Sequence, residues 1–123
     1  MRLLRAGQRS ARPLNCGVRR QVMQTFEAAF PELSAEVERA LAALGQPELG
    51  RRFASALVRE ITSSRKAGYI QLAEDAMGPG RTLPLHKTKS SVVLDVGTDG
   101  SPIGVEVLAP DASTKAELRR RAV

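Results

Sequence analysis

Three acidic residues in the last third of the chain have nearly the spacing of a calcium-binding loop. Counted from Asp95 as position 1, Asp99 stands at position 5, Gly100 at position 6 and Glu106 at position 12. An EF-hand loop draws oxygen ligands from positions 1, 3, 5 and 12 and needs glycine at position 6. Position 3 is Gly97, which offers no side-chain oxygen. Calcium binding is therefore a hypothesis that the flanking elements must decide.

The residues on both sides of this loop alternate between apolar and polar types. That period is typical of β-strands, whereas an EF-hand loop lies between two helices. In a hairpin with this alternation, Leu94 and Val105 face the core. Asp95 and Glu106 then lie exposed on the opposite face of the sheet. The pattern favours a β-hairpin over a calcium site.

Asp99, Gly100 and Gly104 are interpreted as structural turn residues of this hairpin. Asp and Gly tolerate the positive φ angles that tight hairpin turns require. We therefore predict positive φ at Gly100, and we assign no metal ligand to this segment.

The remaining reactive side chains lack the neighbours that catalysis or metal binding needs. His86 is the only histidine, and without a second histidine or a nearby cysteine it cannot anchor zinc. Cys16 lies among arginines, with no histidine or carboxylate close in sequence. The glycines of "GPGR" lack the lysine and serine of a phosphate-binding loop. We predict no catalytic residue, no cofactor and no enzymatic activity.

Four basic residues of the segment "RTLPLHKTKS" are candidates for a partner-binding face, namely Arg81, His86, Lys87 and Lys89. On one edge strand they would form a basic surface for an acidic partner. The alternative is structural, because edge strands often carry lysine that prevents aggregation. The sequence leaves both interpretations open.

The positive charge of the chain lies at its two ends. The chain has 123 residues and a net charge of +6. Residues 1–20 contain six arginines and no acid, and residues 111–123 contain four bases and two acids. We predict a disordered basic leader at 1–20 and a basic tail at 111–123. Such tails can bind nucleic acid through phosphates, which is an alternative function.

Composition also bounds the class of protein and its location. Hydrophobic residues make up 42% of the chain, which is enough for one ordinary domain. No apolar run approaches the roughly 20 residues of a membrane helix, and none of secretory length follows the first basic residues. The single cysteine excludes an internal disulfide. These features predict a cytoplasmic protein without membrane contact.

Residues 21–56 have helical periodicity. The stretch "RQVMQTFEAAF" is predicted as a helix that ends at Pro31. In "PELSAEVERALAALG" we predict Ser34 as the N-cap and Gly45 as the C-terminal stop. The segment "QPELGRRFASAL" predicts a further short helix with Pro47 near its first position.

Residues 57–110 change to a period of two and predict about five short strands. Helices followed by strands predict an α+β fold, in which helices pack on a small, mostly antiparallel β-meander. Residues 21–110 would then form one domain. The predicted core comprises Val37, Leu41, Leu44, Phe53, Leu57, Ile61, Ile70, Leu72, Leu83, Leu85, Val92, Leu94, Val96, Ile103, Val105 and Val107.

The segments "GYIQLAED", "RTLPLHK" and "VVLDVGTDGSPIGVEVLAP" resemble domain-of-unknown-function family 2283, a group of small bacterial proteins, over about residues 57–110. The last segment is the specific part, and the chain departs from the family pattern at Gly97 and at the turn "SSRKAG". The resemblance implies the fold and no established catalysis. It also implies a loose association with small toxins as partners.

These observations predict a non-catalytic binding or regulatory module that acts through protein–protein contacts. A small sheet with open edges also predicts pairing with a second copy or with another protein. The alternatives are a nucleic-acid accessory protein that uses the arginine-rich ends, and an enzyme whose site is assembled from residues distant in sequence.

Overall fold

The computed structural model describes residues 24–73 and 80–121, which excludes the predicted leader at 1–20. Within these ranges the chain forms four helices and five strands, and it confirms the α+β fold class. The elements are α1 (Phe26–Ala29), α2 (Pro31–Ala43), α3 (Pro47–Ser55), β1 (Glu60–Ser63), β2 (Ala67–Gln71), β3 (Arg81–Leu85), β4 (Ser91–Val96), β5 (Pro102–Leu108) and α4 (Ala112–Arg121). None of these helices is long and apolar enough to cross a membrane.

The five strands form one antiparallel sheet in the order β1-β2-β5-β4-β3. Strands β3, β4 and β5 follow one another as a meander, whereas the prediction extended the meander to about five strands. The β1–β2 hairpin joins this meander through β5, so the chain crosses the sheet between β2 and β3. Strand β5 consequently lies at the centre, between β2 and β4.

The helices pack on one face of the sheet and share a single core with it. In α2, the spacing of Leu33, Val37 and Leu41 places all three on the buried face. Phe26 and Phe30 lie fully buried beside them, with ring centroids 5.9 Å apart. Aromatic residues are only 3% of the chain, yet all three phenylalanines are in this core.

Helix α2 begins four residues earlier than predicted, because its N-cap is Phe30 and not Ser34. Pro31 occupies its first turn, where a missing amide hydrogen costs nothing because that amide has no helical partner. Ser34 is therefore inside the helix and not at its N-cap, so that prediction is wrong. Within the part of the chain that the structure describes, its buried Oγ atom has no hydrogen-bond partner. Gly45, with φ of +78°, ends the helix as predicted.

Most of the predicted core is buried, but its borders differ from the prediction. Leu44 is 47% exposed and is the C-cap residue that follows the last turn of α2. At the start of the sheet, Val58 is buried in place of Leu57. Three predicted residues are only partly buried, namely Ile61, Leu83 and Ile103. The main residues that the prediction omitted are Phe26, Phe30, Leu33, Leu49, Val58 and Leu118.

The segment predicted as a basic tail is largely helical, which corrects the domain boundary at residue 110. Asp111 caps α4, because its Oδ1 atom accepts a hydrogen bond from the Thr114 amide at 3.1 Å. Leu118 is 1% exposed and packs against Gly68, where an added Cβ would lie 2.7 Å from Leu118 Cδ1. Arg121 Nε donates to the Ala29 carbonyl at 3.1 Å. The folded unit thus extends through α4.

Candidate functional site

The central hairpin confirms the register that the alternation predicted. Leu94 and Val105 are paired across β4 and β5, and both are fully buried on the helix side. Asp95 and Glu106 lie on the opposite side of the sheet and are half-buried. They are thus less exposed than predicted, because Tyr69 lies beside both of them on the same face.

Asp99 and Gly100, the other two residues of the calcium motif, lie in the turn of this hairpin. Gly100 has φ of +84°, as predicted, and its amide donates to the Gly97 carbonyl at 2.9 Å. Asp99 Oδ1 accepts from the Ser101 amide at 3.0 Å and from the Ser101 hydroxyl. These hydrogen bonds hold the pKa of Asp99 below its usual value. The carboxylate of Asp99 therefore stabilises the turn.

The flanking elements decide against the calcium hypothesis. The loop connects two strands, whereas an EF-hand loop connects two helices. Among residues 24–73 and 80–121, no three histidine, cysteine or acidic side chains converge in a way that could hold a metal ion.

Gly104 has a different role from the one predicted. It lies within β5 and pairs with Asp95, so it is a strand residue and not a turn residue. A Cβ atom at this position would overlap the ring and hydroxyl of Tyr69. The Tyr69 ring therefore lies across the backbone of β5, and its hydroxyl donates to Asp95 Oδ2 at 2.9 Å. A glycine inside a strand often marks such a close approach.

Tyr69 is the functional candidate that sequence reasoning missed. It pairs directly with Glu106 across β2 and β5 and reaches Asp95 on β4. Burial raises the pKa of Tyr69 far above its usual value, and the hydrogen bond to Asp95 and the charges of Asp95 and Glu106 raise it further. The phenol therefore stays protonated and acts as a hydrogen-bond donor. The signals available in the sequence were a single tyrosine in one predicted strand and a glycine inside another.

These residues belong to a larger surface, which we call the open face. No helix within residues 24–73 and 80–121 packs on it, since the helices share the core on the other side. It comprises the outward residues of the strands, namely Glu60, Thr62, Ala67, Tyr69, Gln71, Thr82, Pro84, Ser91, Val93, Asp95, Gly104, Glu106 and Leu108. These strand positions carry three carboxylates and no basic side chain.

The four basic residues predicted as one face are separated in the structure. Arg81 pairs with the buried Val96 and contacts Gln46 Oε1 at 3.5 Å, so it points towards the helices. His86 and Lys87 are exposed beyond the end of β3. Lys89 lies near α2, and its amide is 3.4 Å from Glu36 Oε2. Arg81 therefore lies at the opposite end of β3 from the other three basic residues.

A cleft of about 180 Å³ lies between α2, α4 and the loop before β4. Glu36 lines it, and one of its carboxylate oxygens is buried without a hydrogen-bond partner among the described residues. Arg39 and Lys89 line the same cleft. Because both cations line the cleft together with this carboxylate, either could neutralise its charge without a ligand. The cleft gives less reason to assign binding than the open face does.

Comparison of the chain with family models, with curated proteins and with solved structures finds no match in any of the three. The resemblance to family 2283 thus stays a prediction from the quoted residues.

Proposed function

We propose that this chain is a non-catalytic protein-binding module that receives its partner on the open face. One observation carries this proposal: the described helices cover only one side of the sheet, while the other side presents half-buried Tyr69 and Val93 together with exposed Leu108. Interfaces are enriched in tyrosine and combine apolar area with polar groups. The open face has this mixed composition.

The sheet edges are less suitable for partner binding than the face. On edge strand β3, Pro84 lacks the amide hydrogen that an added strand would need. On the other edge, β1 has only four residues. Short and proline-containing edges resist strand addition. A partner therefore gains more contact on the face of the three inner strands.

Site-specific photo-crosslinking tests this proposal. A photoreactive amino acid is placed at Thr62 or Val93 on the open face, and at Glu27 or Ala42 on the helix layer as matched exposed controls. The full chain is expressed in its native cells and irradiated. We expect one defined crosslinked protein from the open-face positions only. Crosslinks confined to the helix positions would refute this use of the face.

The resemblance to family 2283 suggests a small toxin as the partner. In that case the crosslinked protein would be toxic when expressed alone, and co-expression of the chain would suppress its toxicity. Loss of suppression after Val93→Asp would link the effect to the open face.

Nucleic-acid binding is the alternative, and one observation favours it. Arginines 119–121 lie in the last turn of an ordered helix, where a basic surface can form. Arg121, however, donates hydrogen bonds to the Ala29 carbonyl and to Gln24 Oε1. This function predicts an affinity for DNA or RNA that falls steeply with salt and is lost after Arg119→Gln and Arg120→Gln.

A further inference from the structure

We infer that the segment bound by the open face is a basic one: an extended stretch of a partner protein that carries arginine side chains. This inference rests on the proposed function and adds the chemistry of the partner. It follows from the charges on the face, from their spacing and from the position of Tyr69.

The charge of the open face is opposite to that of the whole chain. The chain has a net charge of +6, yet the outward strand positions hold Glu60, Asp95 and Glu106 and no lysine, arginine or histidine. Complementary charge on a partner speeds association and selects the partner. An acidic partner, or a nucleic acid, would be repelled by the same three carboxylates.

The spacing of the two central carboxylates suits an extended peptide. Asp95 pairs with Gly104 and Glu106 pairs with Val93, so the two acids are diagonal neighbours on adjacent strands. Diagonal neighbours are about 7–8 Å apart. In an extended chain, side chains two residues apart lie on one side at a spacing of about 6.6 Å. Alternate residues of a bound segment can thus reach both carboxylates.

Tyr69 makes arginine a better fit than lysine. Tyr69 is the cross-strand neighbour of Glu106, its ring lies over Gly104, and its hydroxyl donates to Asp95 Oδ2. A guanidinium can stack on this ring while its forked donors reach a neighbouring carboxylate. Among the described residues, the tyrosine hydroxyl occupies one oxygen of Asp95 and leaves the other oxygen and both oxygens of Glu106 as acceptors.

A second copy is a poor occupant of the open face. Two copies related by a twofold axis would place the three carboxylates of one face against those of the other. The arginines of residues 1–20 have the same chemistry as the inferred partner, so the experiment must separate this segment from a partner peptide.

Tyr69 provides a local readout for the test. The chain has one tyrosine and no tryptophan, so its intrinsic emission above that of phenylalanine comes from the open face. The full chain is titrated with a synthetic peptide of alternating arginine and serine, and with lysine and glutamate versions of it. Calorimetry measures the same affinities independently. We expect saturable binding that ranks arginine above lysine, no binding of the glutamate peptide, and weaker binding at higher salt.

Matched variants locate the binding site. Asp95→Asn with Glu106→Gln removes two charges from the open face, whereas Glu27→Gln with Glu48→Gln removes two from exposed helix positions. We expect at least a tenfold loss of affinity for the first pair and an unchanged affinity for the second. Thermal melting verifies that all variants fold. Equal affinity in both pairs would overturn the inference.

A further variant of the full chain, with every arginine of residues 1–20 replaced by glutamine, separates the two sources of arginine. Unchanged peptide affinity supports an external partner. Binding that is detected only in this variant assigns the open face to the chain's own segment and overturns the partner inference. If Val93 crosslinks a protein while no arginine peptide binds, the charge inference fails and the proposed function survives.

Discussion

The substitution Leu118→Ala tests whether the C-terminal segment is a docked helix or a tail. Leu118 is the only apolar residue of α4 in the core cluster, and it is 1% exposed. A tail residue would tolerate alanine with almost no change in stability. A docked residue would not, because its side chain fills the space over Gly68.

The expected cost follows from the atoms removed. Leucine to alanine deletes three carbon groups, worth about 0.8 kcal/mol each in transfer from water, or about 2.4 kcal/mol together. The cavity left behind raises typical buried cases to about 2.7–5 kcal/mol. If α4 detaches instead of leaving a cavity, its docking free energy limits the loss. We therefore expect the free energy of unfolding to fall by about 2–3 kcal/mol.

Leu44→Ala is the matched control, since it removes the same atoms from a side chain that is 47% exposed. It should lower the free energy of unfolding by about 1 kcal/mol, because only about half of the Leu44 side chain leaves water on folding and no closed cavity forms. Urea unfolding followed by circular dichroism gives both free energies, and equal m-values would show that the unfolded reference is unchanged. A Leu118→Ala variant no less stable than Leu44→Ala would refute the docked helix.

Four further outcomes are expected. Gly104→Ala should destabilise the protein, since the added Cβ displaces Tyr69. In a double-mutant cycle, most of this loss of stability should disappear when Tyr69 is also replaced by alanine. Ultraviolet titration of the single tyrosine should give a pKa above the usual value of about 10, and Asp95→Asn should lower that pKa because it removes a neighbouring negative charge. Hydrogen bonds lower the pKa of Asp111, and the bond from the Thr114 side chain has the largest effect. The contribution of ionised Asp111 to folding stability is therefore complete above the unfolded pKa of about 4 and is lost as the pH falls through the folded pKa. Asp111→Asn should consequently make the melting temperature depend less on pH in the acid range. Calcium added to metal-free protein should leave the melting temperature unchanged, whereas binding at 100 times the dissociation constant would add about 2.7 kcal/mol.

Local patterns determined the elements that depend on neighbours along the chain. The period of two around Leu94 and Val105 set the face of each residue, since a slip of one position would expose both. Gly100 and Gly45 marked a turn and a helix end because positive φ favours glycine. Pro31 was correctly recognised as a boundary, but it starts α2 as well as ending α1, because proline also suits the first turn of a helix.

Tertiary structure alone decided the features that depend on contacts between distant residues. Helix α4 carries one apolar residue in the core cluster, Leu118, so it has no periodic stripe that a sequence could reveal, and its docking depends on the space over Gly68. Likewise, Tyr69 and Asp95 are 26 residues apart, and only the insertion of β5 between β2 and β4 brings them together. The amino-acid sequence by itself therefore determined the α+β class and the inward face of the hairpin, because both follow from local period and backbone sterics. Which charges share the open face was decided by strand order, which is set by the packing of the whole domain.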